Sequence, residues 1–211
     1  VGGFLETLSD MPEVDDATLR QFLALMLEQS RRMQSLVEDL LTLSRIENSP
    51  RSMQQETVNM DQLLDTLMVE AEGLSQGRHQ ITLDNHCRRW LRGNVQELHS
   101  AFGNLVSNAV RYTPEGGSVT LSWQEADEGR AVFSVSDTGI GIPREHLPRL
   151  TERFYRVDRG RSRGNGGTGL GLAIVKHVLA RHQARLEVHS EPDKGSCFSV
   201  IFNAEQLTAR E

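Results

Sequence analysis

The chain has 211 residues, a formal charge of −6 and 37% hydrophobic residues. That is enough apolar material for one or two domains with a real core. The mild acidity argues against nucleic acid as the main partner, because phosphate neutralisation needs a basic footprint. Two cysteines, Cys87 and Cys197, make no disulfide or metal framework, so a reducing compartment is expected. No apolar run reaches the length of a membrane span, and the first residues do not read as a signal peptide.

Residues 2–9 read as a short helical piece. Residues 10–16 form a turn, with Pro12 and acidic residues ready to cap the next helix. Residues 17–47 contain no Gly or Pro and read as one long helix. Leu19, Phe22, Met26, Gln29, Met33, Leu36, Leu40 and Leu43 step by three and four, a heptad seam broken only at Gln29. Leu23, Leu27, Val37 and Leu41 add a second stripe beside it. Two adjacent stripes suit a bundle with partners on both sides. The expectation is a dimeric four-helix bundle built from two hairpins, each spanning residues 1–48. The alternative is that the helix packs on the rest of its own chain. Residues 49–56, with Pro50, are expected to be a linker.

The remainder of the chain reads as α+β. Residues 60–74 are an amphipathic helix with Leu63, Leu64, Leu67 and Ala71 inward. Short strands come next at 80–85 and 90–92, then a helix over 95–112. Residues 118–124 alternate Val119, Leu121 and Trp123, and 130–136 read as their hairpin partner. Pro143 introduces a short helix at 146–150. A helix over 168–182 and strands at 186–190 and 198–202 complete the set. Runs of antiparallel strands with three helices imply a two-layer sandwich, helices on one face. The domain is expected over 57–203, with 204–211 as a tail.

The stretch Gly166-Gly167-Thr168-Gly169-Leu170-Gly171-Leu172 runs straight into an apolar helical pattern. Glycines let backbone N–H groups approach a ligand, and a helix start adds unpaired donors and partial positive charge. Together these suit phosphate. Five arginines stand between residues 153 and 163, just upstream. Gly164, Gly166 and Gly169 fit a dinucleotide fingerprint literally, but that fingerprint must come after a buried strand, and an arginine-rich segment stands there instead. In the helix from residue 95, Asn104 and Asn108 offer amide oxygens one turn apart, on a different stripe from the buried arc. Hard oxygens suit Mg²⁺, although such a pair read alone is as well a solvated surface. Asp137 leaves a strand into a Gly-x-Gly turn, where a carboxylate can accept from a ring amine or merely cap the turn.

Taken together, these segments resemble the catalytic region of sensor histidine kinases, within the gyrase/Hsp90/kinase/MutL ATPase superfamily. The N box resembles Asn104-Leu105-Val106-Ser107-Asn108-Ala109-Val110-Arg111-Tyr112. The first glycine box is Asp137-Thr138-Gly139-Ile140-Gly141, and the F box is Glu152-Arg153-Phe154-Tyr155-Arg156. The second glycine box is Gly167-Thr168-Gly169-Leu170-Gly171-Leu172, and Gly195-Ser196-Cys197-Phe198 resembles the last, with Ser where Thr is common. The wording of residues 147–163 and of the hairpin most resembles the phosphate-regulon sensor-kinase subgroup.

The resemblance implies an ATP site. Asp137 would accept from the adenine amine, Gly141 would let the base approach, Tyr112 and Ile142 would pack on it, and Gly139 is counted in the same site. Asn104 and Asn108 would hold Mg²⁺ and phosphates, with Arg111 nearby. Arg156 and the loop to Gly166 would form a lid, whose cations can neutralise a triphosphate and close over it, and Phe154 and Tyr155 are counted in the ATP site. Gly167, Gly169 and Gly171 would wrap the phosphates, and Thr168, Leu170, Leu172 and Ser196 are counted in the ATP site with them. The resemblance also implies a homodimer, a response-regulator partner and a place on the cytoplasmic side of an inner-membrane sensor. One departure stands out. The family's phosphoacceptor sits in a His-Glu-x-x-Thr-Pro setting, and none of the seven histidines does. The stretch from Val1 to Leu8 resembles the segment just after that box, so the acceptor is expected upstream, and no catalytic residue is assigned. Clamp ATPases of the superfamily carry a catalytic Glu four residues before the first Asn, where Ser100 stands here. A nucleotide-binding scaffold without kinase turnover is the other alternative.

Overall fold

The computed structural model describes residues 15–48, 56–157 and 167–209. The expected helical piece at 2–9, most of the linker, and Gly166 with the middle of the lid lie outside them. Helix α1 spans Asp16–Asn48 and starts on Asp15, whose carboxylate accepts the Thr18 N–H at 2.9 Å. After it come β1 (Glu56–Val58), α2 (Met60–Ser75), β2 (Gln80–Asn85), β3 (Arg89–Gly93) and α3 (Val95–Tyr112). The chain continues through β4 (Ser118–Ala126), β5 (Arg130–Asp137), α4 (Gly171–Arg181), β6 (Arg185–Glu191), β7 (Gly195–Phe202) and β8 (Leu207–Ala209).

The main sheet has five strands in the order β2-β4-β5-β7-β6. Its inner face is the alternating set expected from the sequence. Val119, Leu121 and Trp123 of β4, Phe133 and Val135 of β5, and Val200 and Phe202 of β7 are buried. Helices α2, α3 and α4 cover that face with Leu67, Phe102, Leu105 and Val175 among others. Phe102 stacks on Phe133 with centroids 4.0 Å apart, and Phe202 meets Phe102 edge-on at 6.2 Å. Aromatic pairs at these separations add to the area they bury.

Three expectations need correction. Strands β2 and β4 pair in parallel, so the sheet is mixed rather than wholly antiparallel. The reason is the long crossover through β3 and α3, which returns the chain in the same direction. The residues expected as a tail form a 3₁₀ turn at Ala204–Gln206 and strand β8, which pairs with β3 in a small second sheet of order β1-β3-β8. The last helix begins at Gly171 and not at residue 168, because Gly169 sits at φ +76° and its carbonyl accepts the Phe154 N–H.

Helix α1 divides in two. Leu43 and Ile46 are buried against the α/β domain, whereas Leu19, Leu23, Leu27, Met33, Val37, Leu40 and Leu41 are exposed. The C-terminal end thus packs on its own chain, as the alternative had it, while the second stripe is exposed throughout and the first at Leu19, Met33 and Leu40. Among the described residues, no helix is long and apolar enough to cross a membrane.

Candidate functional site

The site grows from the ends of α3, β5 and α4. Asn94 starts α3: its side chain accepts the Glu97 N–H at 3.0 Å, which fixes where the helix begins. That registry buries Leu98, Ala101, Phe102, Leu105 and Ala109 and leaves Asn104 and Asn108 half-exposed on a different stripe. Asn104 Nδ2 donates to Ser100 O at 2.8 Å, so its Oδ1 is the free end. That oxygen faces Gly171 so closely that a Cβ there would overlap it. The first residue of α4 is therefore a glycine for a steric reason, and the helix start meets the N-box asparagine.

The glycine loop runs along the end of α3. A Cβ on Gly167 would lie 3.1 Å from Arg111 Nη1 and 3.6 Å from the Tyr112 hydroxyl. Leu170 is fully buried and anchors the loop in the core, and Leu172 is half-buried. Thr168 Oγ1 accepts the Leu170 N–H at 3.2 Å. The oxygens of Asn104, the guanidinium of Arg111 and the turn at Gly167–Gly171 thus share one rim.

Asp137 ends β5 on the other side. Its Oδ1 accepts the Gly139 N–H at 2.8 Å and the Ser196 N–H at 3.3 Å. Burial pushes this carboxyl above its ordinary range, against the pull of those two N–H groups. Gly141 sits at φ +64°, and a Cβ there would run into the Glu191 carbonyl. The Ile140 N–H donates to Tyr112 O at 3.2 Å, tying the turn to the end of α3. The Ile142 N–H donates to Ser190 Oγ at 2.7 Å, and Ser190 Oγ meets Ser196 Oγ at 2.9 Å. Thr138, whose hydroxyl accepts the Ser118 N–H at 2.9 Å, holds the turn from within the first glycine box, and Ser190 holds it from a position that no sequence motif marks.

Residues 93–206 match the family described as histidine kinase-, DNA gyrase B- and HSP90-like ATPase, and residues 1–49 match the His Kinase A (phospho-acceptor) domain. The chain belongs to the sensor histidine kinases. It is 50% identical over its whole length to the phosphate regulon sensor protein PhoR of Pseudomonas aeruginosa, of which it covers 48%. It is 36% identical over 94% of its length to PhoR of Haemophilus influenzae, covering 46% of that protein. The chain spans about half the length of these curated relatives. The crystal structure of full-length ShkA in complex with AMPPNP superposes with a TM-score of 0.74 at 25% identity, over 93% of this chain and 40% of that one. The Acinetobacter baumannii histidine kinase AdeS shares the fold, with a TM-score of 0.72 at 21% identity, over 96% and 92% of the two chains.

Within this sensor histidine kinase chain the F box is not wholly turned to the cradle. The Tyr155 hydroxyl lies 2.6 Å from His146 Nδ1, and its ring lies under the Arg149 guanidinium at 4.3 Å. Tyr155 therefore pins the F box to the preceding 3₁₀ turn, Arg144–Arg149. Phe154 is exposed at φ +61° and reaches the glycine loop through its backbone N–H. Arg156 is half-buried beside them.

Three of the histidines hold structural places. His182 is buried, with Nδ1 2.8 Å from Val178 O and Nε2 3.1 Å from the Asn94 N–H. Those partners require a neutral ring that donates from Nδ1 and accepts at Nε2. His79 bridges Ser75 and the Thr113 carbonyl, and His99 meets Glu70 at 2.9 Å.

Proposed function

We propose that this chain is the nucleotide-binding core of a phosphate-responsive sensor histidine kinase and that it takes ATP between α3, the glycine loop and the Asp137 turn. The observation that carries this is the junction of Asn104 with Gly171, beside Arg111 and Gly167. Amide oxygen, guanidinium and glycine backbone converge there without a side chain between them. Asp137, ionised, accepts from the exocyclic amine of adenine. Gly139 and Gly141 leave room for the base, and Tyr112 and Ile142 flank it.

The donor set fits Mg²⁺. Asn104 presents an oxygen because its NH₂ is committed to Ser100 O, and Asn108 stands one turn on. Bound there with the triphosphate, Mg²⁺ would neutralise charge that builds on the transferring phosphoryl group. Arg111 supplies fixed positive charge on the same rim.

In the whole protein the γ-phosphoryl passes to a histidine and then to an aspartate of a response-regulator receiver domain. The name of the Pseudomonas relative supports phosphate signalling as the setting. The exposed stripes of α1 support a homodimer through the helical hairpin, on the cytoplasmic side of a membrane sensor. Calorimetric titration of Mg·ATP into the chain and into Asn108→Ala tests the site. Micromolar-scale binding, on the order of −8 kcal/mol, that weakens in the variant is expected. No binding by the unaltered chain overturns the reading.

A further inference from the structure

The C-terminal half of α1 touches the nucleotide domain at several points, and one of them is in the phosphate cradle itself. Asp39 Oδ2 accepts the Thr168 hydroxyl at 2.6 Å, across 129 residues of sequence. The same carboxylate is half-buried and is influenced by Arg111. Burial pushes its carboxyl up, while Thr168 and Arg111 pull it down. One and two turns later Leu43 and Ile46 are buried, and the Ile46 carbonyl accepts from Arg181 Nη1 at 3.1 Å. Glu47 closes the contact by pairing with Arg153 of the F box and, at 3.3 Å, with His177 Nε2.

A carboxylate and a phosphate seek the same donors. Thr168 has one hydroxyl proton, and Asp39 holds it. Arg111 flanks both Asp39 and the glycine loop. Placing a triphosphate beside an ionised, half-desolvated Asp39 sets like charges together where water screens them poorly. The contact is polar at Asp39 and Glu47 and apolar between them, so the segment docks or leaves as a unit.

We infer that Asp39 sets nucleotide affinity: its carboxylate competes with nucleotide phosphate for Thr168 and Arg111, so triphosphate binds as this end of α1 leaves the glycine loop. The inference rests on the nucleotide reading above. Its consequence is reciprocal. ATP releases α1, and whatever repositions α1 in the bundle changes ATP affinity. The apparent dissociation constant is the intrinsic one divided by the undocked fraction.

The test is titration of Mg·ATP and of adenosine into the unaltered chain, Asp39→Asn and Glu47→Gln, each checked for fold by circular dichroism. Asp39→Asn keeps size and an acceptor for Thr168 but loses the charge. Glu47→Gln loosens the far end of the docked segment and leaves the cradle intact. Both are expected to bind Mg·ATP about fivefold tighter or more. Adenosine, which has no phosphate, is expected to bind Asp39→Asn and the unaltered chain alike. If the unaltered chain binds Mg·ATP and neither variant binds it tighter, or if adenosine gains as much as ATP, the competition is refuted while the nucleotide site stands. If no form binds either ligand, the nucleotide reading fails and takes this inference with it.

Discussion

Asn104 Oδ1 occupies the space that a methyl group on residue 171 would need. Asn104 cannot simply rotate away, because its NH₂ is held by Ser100 O at 2.8 Å. Gly171→Ala is therefore expected to shift the asparagine or the start of α4. Overpacking of this kind costs about 1–3 kcal/mol. Calorimetry should show lost or much weakened Mg·ATP binding while circular dichroism shows the fold retained. Unchanged affinity would mean that the asparagine oxygen does not face the phosphates.

Asp137 carries the base-recognition prediction. Asp137→Asn replaces a charged acceptor, and hydrogen bonds to charged groups contribute about 1.5–3 kcal/mol. A loss of tenfold or more in Mg·ATP affinity is expected. The pH dependence comes from burial, which raises this carboxyl. Acidification protonates Asp137 at a higher pH than an ordinary exposed carboxylate, so affinity in the unaltered chain should begin to fall early on the acid side. The asparagine variant should lack that decline. A parallel decline in both would place the titrating group elsewhere.

His182 supplies a stability prediction with a definite sign. Burial lowers its pKa below the ordinary value, although Val178 O and Glu97 pull the other way. The unfolded chain thus takes up the proton first as pH falls. The contribution is fully present above the unfolded value of about 6.5 and is lost as pH drops through it toward the lower folded value. Thermal unfolding from pH 8 to pH 5 should show falling stability, with a flatter profile in His182→Gln. That variant should also be less stable at pH 8 if it leaves the Asn94 N–H unsatisfied, by about 1–3 kcal/mol. Identical slopes would exclude His182 as the cause.

The stripes of α1 predict an assembly. Leu23 and Leu27 are each just over half exposed in the single chain, at 53% and 52%. Burial of side chains of this size contributes about 1.5–3 kcal/mol each. Light scattering should report a dimer for the unaltered chain and a monomer for the double variant Leu23→Glu with Leu27→Glu. Mg·ATP should still bind the monomer, because neither residue touches the cradle. A monomeric unaltered chain would refute dimerisation through this helix.

Much of the nucleotide domain was legible because its signals are local. The helix expected over 95–112 is α3 to the residue, since Asn94 caps it and Thr113 ends it. The strand faces of β4 and β7 came from simple alternation. The late start of α4 was not legible, because it depends on Phe154 reaching Gly169 from another segment. The role of residues 207–209 was hidden for the same reason: three residues have no periodicity, and only the partner strand β3 makes them a strand. Asp39 carried no signal at all, being one more polar position on an amphipathic helix. Its meaning comes from Thr168, far along the chain.

The order and spacing of Asn104, Asn108, Asp137 and the glycines determined the family from sequence alone. They do so because phosphate cradling and base recognition each demand particular residue types at short, fixed intervals. The tertiary structure alone decided that β2 and β4 run parallel, that Tyr155 is tied to His146, and that the end of α1 rests on the glycine loop at Thr168. Those outcomes depend on which distant surfaces meet, and burial of Leu43 and Ile46 brings Asp39 to Thr168.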